Sequence, residues 1–572
     1  MRQSLIFALL AAVAFSIPAR DAQAQGFPSV SLMMKSTKEV ENDLEYIVKL
    51  AGPKGAAQWP NIQAILPAFL GGIDSTKPIR VDFVFVNGMD IRYVIPVAAG
   101  AAGERALIAN IGGFAGDKRP KRLKKGYYRI NGPAFGGVIR IIGGYAIISS
   151  NPKLVPAGFA GPLAPIQPLI KADYDVGAIV KNTADGAEGR KGVMNGFRKQ
   201  VIGTLKKRDD ESEGEFELRK VALEQQIDEL ERIFVESDQL TLGWTTDVKK
   251  KEGRLHLELT ALAKTDLEKS IEELANKPSL FAAIDRGKDT IFFGRINHAL
   301  DQMRQDNIQE LLKLLQAQAE AKLNESTTIN DEDKDALREA AAIYFDILSA
   351  GTKMGVIDGF VNAELIEGKR VVTGGIRVAD SDDALKLLQA LGKTDAKIAM
   401  NAVKLESGLD LHRVTFSEEY GDELRDLFGV TEFLVGFPSK DVVLYAGGEK
   451  ADERIEAAVT ALKGKQPAND GTFLETWARA GAWVQILKDR RVRIEKDQKF
   501  DPEKLTAEER KKWEEDVELR EEALKAFATK NDTIHMKLQR KDNKVVGVTV
   551  FTEDLLKFVG LQIAKFSEKS LQ

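Results

Sequence analysis

The sequence predicts an α+β protein of two tandem domains, each an antiparallel sheet packed with helices, built from about four related strand-helix-hairpin-helix units. Three observations predict it. A hairpin followed by a helix recurs along the chain, lead strands and charged helices precede the hairpins, and a β-rich insert recurs in alternate units. The length of 572 residues agrees with about four units at roughly 150 residues each.

The clearest hairpin spans Leu240 to Leu274. Strand Leu240-Thr241-Leu242-Gly243-Trp244 leads through a charged turn near Lys250 and Gly253 into the alternating strand Leu255-His256-Leu257-Glu258-Leu259. Thr265-Asp266-Leu267 then opens a helix carrying Ile271 and Leu274. The same order recurs at Val356 to Leu391, with the turn Glu367-Gly368-Lys369 and a helix opening at Ser381-Asp382-Asp383. It recurs again at Ile534 to Leu561, with the turn Asp542-Asn543-Lys544 and a helix opening at Thr552-Glu553-Asp554. Alternation gives each strand one buried face, and a hydroxyl followed by an acid suits a helix start. A diverged fourth copy is expected at Val81 to Ala98, around the hairpin turn Asn87-Gly88.

Four lead strands are expected at Val30–Met34, Val176–Val180, Thr290–Phe293 and Trp483–Leu487. Three follow similar junctions, at Pro168-Leu169-Ile170, Pro278-Ser279-Leu280-Phe281 and Thr472-Phe473-Leu474. The units are therefore 25–165, 166–278, 279–470 and 471–572, paired into a first module at 25–278 and a second at 279–572. The insert of the first and third units ends in Gly144–Ile148 and Val442–Ala446, which implies that a two-unit module was itself duplicated. Amphipathic helices link lead strand to hairpin at Glu215–Ser237, Ile308–Leu323 and Pro502–Ala528. In the first, Leu223, Ile227, Leu230 and Phe234 form a stripe expected to pack on the sheet.

Ahead of these elements, residues 1–24 read as a cleavable secretory signal. Arg2 supplies the positive charge, Leu5–Ile17 the apolar run, and Ala22-Gln23-Ala24 the small-x-small cleavage pattern. The apolar run is shorter than the ~20 residues that span a bilayer, and no later stretch reaches that length. The mature chain is thus expected to be soluble and exported, to the periplasm or outside the cell, with no transmembrane segment after cleavage. Without cysteine it has no disulfide, thiolate metal site, cysteine nucleophile or lipid-modified cysteine. Its net charge moves only from −4 to −5 once Arg2, Arg20 and Asp21 leave with the signal, which names no partner.

Chemistry-bearing motifs are sparse. His256, His298, His412 and His535 lack a second ligand at metal spacing, and three are expected in strands, so no metal is predicted. Asp331-Glu332-Asp333-Lys334-Asp335 begins like a calcium loop. Ala336 and Ala342 replace its glycine and its bidentate glutamate, and an acidic first helical turn fits better. Gly71-Gly72, Gly112-Gly113, Gly136-Gly137, Gly143-Gly144 and Gly447-Gly448 form no phosphate loop or nucleophile elbow and read as bends and bulges in sheets. No cofactor is predicted and no catalytic residue can be selected. The one polarised segment holds Lys118, Arg119, Lys121, Arg122, Lys124 and Lys125, followed by Tyr127-Tyr128. It is a candidate surface for an anionic envelope polymer, with a solvated loop as the plainer reading and nucleic acid disfavoured.

On Thr265-Asp266, Ser381-Asp382 and Thr552-Glu553, with the signal and the charged helices, the chain resembles uncharacterised exported bacterial proteins containing domains of unknown function. That resemblance implies no reaction. The leading expectation is an exported, non-enzymatic repeat scaffold that binds a protein or an envelope polymer. The alternative is an exported hydrolase with a carboxylate-based site between the two modules.

Overall fold

The computed structural model describes residues 28–570 except 86–88, 118–119, 124–125, 156–160, 328, 395–396, 417–424, 426–428, 465–468 and 498–500. The signal segment and the Asn87-Gly88 turn lie outside the described residues.

The order strand, two helices, hairpin, helix occurs four times. It begins with β1 (Ser29–Met34), α1 (Thr37–Leu50), α2 (Pro53–Leu70), β2 (Ile79–Phe85), β3 (Met89–Pro96) and α3 (Gly100–Ala115). An insert follows: β4 (Lys121–Arg122), β5 (Tyr127–Asn131), β6 (Gly136–Ile142), β7 (Tyr145–Ser149) and the short α4 (Gln167–Lys171). Next come β8 (Val176–Lys181), α5 (Ala187–Thr204), α6 (Glu213–Glu236), β9 (Ser237–Asp247), β10 (Glu252–Ala261) and α7 (Asp266–Glu273). The second half opens with β11 (Thr290–Ala299), α8 (Gln302–Glu325), α9 (Asp331–Lys353), β12 (Val356–Ile366), β13 (Lys369–Arg377) and α10 (Ser381–Leu391). Its insert holds β14 (Lys397–Lys404), β15 (Asp410–Thr415), β16 (Glu432–Ser439), β17 (Val442–Gly448) and α11 (Ala451–Lys463). The chain closes with β18 (Thr472–Arg479), α12 (Ala480–Asp497), α13 (Ala507–Ala526), β19 (Thr533–Lys541), β20 (Lys544–Thr552) and α14 (Glu553–Ser570).

All the strands join one antiparallel sheet. Followed neighbour to neighbour, the order is β4-β5-β6-β7-β3-β2-β1-β8-β9-β10 and then β20-β19-β18-β11-β12-β13-β17-β16-β15-β14. Read inward from its two ends, the list gives the same pairing scheme twice. β10 and β20 meet at the centre, antiparallel from Glu252↔Thr552 to Thr260↔Lys544, so the sheet runs unbroken between the halves.

Directly opposed residues share a face, so the pairings sort the side chains. One face, carrying Leu257, Leu538 and Leu474 at the centre, is covered by helices. α7 packs Leu267 and Ile271 there, and α12 lays Trp483 and Ile486 over Phe292 and Val361. α14 brings Leu556 against the β9–β10 hairpin. Among the described residues the other face is covered towards the flanks, by residues 163–174 over Met33 and Ile179, and by α11 with Phe281 over Phe293, Phe360 and Leu444.

Several local expectations are corrected. Trp483–Leu487 is helical, within α12, and the fourth lead strand is Thr472–Arg479, the segment expected to be a junction. Trp and Val favour strands, but Trp483, Ile486 and the half-buried Val484 sit at helical spacing on the inner stripe of α12. The other junctions differ from it: Pro168-Leu169-Ile170 is in α4, and Pro278–Phe281 is an irregular turn. Gly112-Gly113 lies in α3 rather than in a sheet bend, where a Cβ on Gly112 would stand 2.7 Å from the Pro120 ring. The stripe on α6 packs not on the sheet but on α5, with Ile227, Leu230 and Phe234 against Met194, Phe197 and Val201. Of the three expected caps, Thr265 accepts from Glu268 N as anticipated, whereas Asp380 and not Ser381 caps α10. The Thr552 hydroxyl instead ties β20 to β19, accepting from Thr533 N at 2.7 Å. Asp331, Glu332 and Asp333 do form an acidic first turn, capped by Asn330.

Candidate functional site

The centre of the uncovered face is the first candidate. Alternation in β10, β20, β19 and β18 sends Arg254, His256 and Glu258, Val546 and Val548, His535 and Lys537, and Glu475 and Trp477 to that side. Their charges are matched between neighbours. Arg254 pairs with Glu252 at 2.8 Å, Lys544 with Glu258 at 2.8 Å, and Lys537 with Asp470 at 2.6 Å. Glu475 receives both Arg295, at 2.8 Å, and His535, at 2.9 Å. These hydrogen bonds, His535 foremost, hold the Glu475 carboxyl below its ordinary range against the opposing effect of burial. The side chains remain wet: exposure is 18% at Glu475, 33% at Lys537 and 46% at Lys544.

Aromatic rings bound this row. Tyr174 lies on Gly243 and meets the His256 ring at 5.1 Å between centroids. A Cβ on Gly243 would stand 2.3 Å from the Tyr174 ring, so glycine is what lets the ring lie on the strand. At the other side Arg286 stacks over Trp477 at 4.9 Å.

The second candidate is a cleft of about 690 Å³ where α5, α6 and α7 meet the start of α8, at the seam between the two halves. Arg232 is its most buried cation; Nη2 donates to Asp301 Oδ2 at 2.7 Å and to the Asp266 carbonyl at 2.8 Å. Its Nε and Nη1 are buried without a hydrogen-bond partner. Arg198 on the cleft wall is held by Asp228 and Glu231. Burial raises the Asp301 carboxyl, but hydrogen bonds from Arg232 and the Arg304 backbone outweigh it and keep it below the ordinary range. The Lys269 hydrogen bond does the same for Asp266. Two lining carboxyls are thus poised to stay ionised, whereas acid catalysis by a carboxyl needs one held protonated.

A third cluster lies where α1 meets the ends of β1, β8 and β9. Asp175, 5% exposed, accepts from Thr246 N at 2.7 Å, with Lys35 3.7 Å away. Asp43 packs against it from α1. Burial first, then the charges of Asp175 and Glu39, push the Asp43 carboxyl up to about 7.

Of the predicted basic segment, Lys118, Arg119, Lys124 and Lys125 lie outside the described residues. Lys121 and Arg122 form β4, the outermost strand, both exposed, with Arg122 6.0 Å from the Tyr128 ring centroid. All four histidines are in strands rather than three, because His298 continues β11 past Phe293. Among the described residues no group of three His, Asp or Glu could hold a metal ion, and no helix is long and apolar enough to cross a membrane. The sequence reading missed Tyr174, Trp477, Arg232 and the Asp43–Asp175 contact. Only the first two left a trace, as aromatic residues beside alternating polar strands. No protein-family model matches the chain, and no curated protein or solved structure matches it either.

Proposed function

We propose that the chain is an exported, non-enzymatic repeat scaffold that binds a protein or an envelope polymer through the central uncovered face. The observation that carries this reading is the solvated, charge-matched row across β10, β20, β19 and β18, which lies between the described segments that cover the two flanks. Descent from a duplicated two-unit module is supported by the doubled pairing scheme, which puts the seam of the duplication at the middle of that face. Export rests on the signal pattern at Arg2, Leu5–Ile17 and Ala22-Gln23-Ala24.

The hydrolase reading has a cleft in the expected place, but two of its lining carboxyls favour the ionised form. Asp266 and Asp301 are both held below the ordinary carboxyl range, and Arg232 Nη2 donates to Asp301. Val548→Arg, at the centre of the face, supplies the test. The unaltered chain is expected to retain envelope material without cleaving it, and the variant to lose most of that retention while melting normally. Release of cleaved product, or retention unchanged by Val548→Arg, would refute the reading.

A further inference from the structure

We infer that the occupant of the central face is an uncharged, polyhydroxylated chain, a neutral polysaccharide laid across the strands between Tyr174 and Trp477. This rests on the scaffold reading above and names its ligand. The row Gly243, His256, Val548, Lys537, Glu475 runs across five neighbouring strands, about 19 Å at the usual spacing. That accommodates several sugar rings.

Charge complementarity selects the chemistry. Arg254, Lys544, Lys537 and Arg295 each sit 2.6 to 2.8 Å from a carboxylate, so the charges of the strands are balanced pair by pair and give a charged polymer little net attraction. A hydroxyl needs no net charge. Paired carboxylates keep free lone pairs and paired guanidinium and ammonium groups keep free N–H donors, and a hydroxyl both donates and accepts. The valine floor offers apolar area to the C–H faces of sugar rings, and Tyr174, lying on Gly243, and Trp477, stacked by Arg286, close its two ends. A protein partner would need a large apolar anchor, and none of the exposed large hydrophobics lies on β9, β10, β18, β19 or β20.

The test is affinity electrophoresis of the purified mature chain in gels cast with hydroxyethylcellulose, soluble β-1,3-glucan or galactomannan, and in parallel with alginate. Retardation is expected in at least one neutral gel and should be insensitive to added salt. Trp477→Ala should weaken it about tenfold, and the double variant Glu258→Gln/Lys544→Gln, at solvated positions that threaten folding least, should weaken it several-fold, with melting curves confirming the fold. Mobility unchanged in every neutral gel overturns the proposal. So does neutral-gel retardation that both variants leave intact, because the site is then elsewhere. Salt-sensitive retardation confined to alginate overturns the neutral ligand but leaves the scaffold reading standing, which Val548→Arg decides separately.

Discussion

At the scale of single residues, the buried Asp82 and the half-buried Asp43 differ in what surrounds them. Asp82, 3% exposed, accepts from Arg80 Nε and Nη2 at 2.6 Å each, from Arg92 Nε at 2.8 Å and from the Ser31 hydroxyl at 2.7 Å. Removing it leaves Arg80 charged in a site only 2% exposed. Asp82→Ala should therefore lower stability by about 3–5 kcal/mol in urea unfolding, the usual cost of breaking a buried pair; a loss below about 1 kcal/mol would contradict this. Asp43 has no such cation and is pushed up to about 7 by burial and by Asp175. Its unfolded value is about 3.9. Between these values the folded chain binds more protons than the unfolded one, so this contribution to stability is lost as pH rises from about 4 through 7. Asp43→Asn should therefore raise the melting temperature more at pH 8 than at pH 5.5, a comparison between two chains in which the opposite contribution of His256, His298 and His412, all held below the ordinary imidazole range by burial, cancels. Neither acid was legible in the sequence. Asp82 sits in an alternating strand and Asp43 in a charged helix, and only tertiary packing shows which acids lose their water.

At the scale of elements, local pattern told more. The strand-turn-strand units at Leu240 and Ile534 were readable because alternation records one buried face, whereas the Val356 unit is covered on both faces, by α12 over Val361 and by Phe281 against Phe360, and was readable from its turn. Glu367 and Gly368 have φ of 49° and 82°, the tight left-handed turn that a two-residue hairpin requires. Trp483–Leu487 misled because four apolar residues in a run of five fit either period, and neighbouring α13 and α14, invisible locally, decide for helix. The basic segment gains a structural explanation at this scale. β4 is two residues long and carries Lys121 and Arg122, and at the far end of the sheet β14 carries Lys397 and Lys404 with a bulge where Asn401 has φ 51°. Short, lysine-bearing and bulged strands resist pairing with another molecule's edge. Lys121→Val with Arg122→Val should accordingly produce concentration-dependent dimers in size-exclusion chromatography. A variant that stays monomeric at high concentration would remove this explanation.

At the scale of the whole molecule, local pattern gave no sign that the strands join in one sheet. Nothing in Leu255–Leu259 or Val545–Val550 states that these strands face each other; the pairing joins residues almost 300 positions apart. It has a direct consequence for dissection. Residues 25–278 and 279–572 made separately would each expose β10 or β20 as a long, unprotected edge. Each half should self-associate or aggregate alone, and the two should recover a one-to-one complex when produced together. Two stable monomeric halves that ignore each other would show the central pairing to be dispensable.

An open sheet rarely exceeds about 10 strands without curling, and neighbouring strands rotate by roughly 20°. Continued across all the strands described above, that rotation would amount to roughly a full turn, which would make the sheet a coiled ribbon with each edge about half a turn away from the centre. A rigid straight polymer could touch such a ribbon only over the few strands around β10 and β20. A chain with its own gentle helical pitch could follow the coil further, and the handedness of the ribbon would then discriminate between polymers of identical chemical composition.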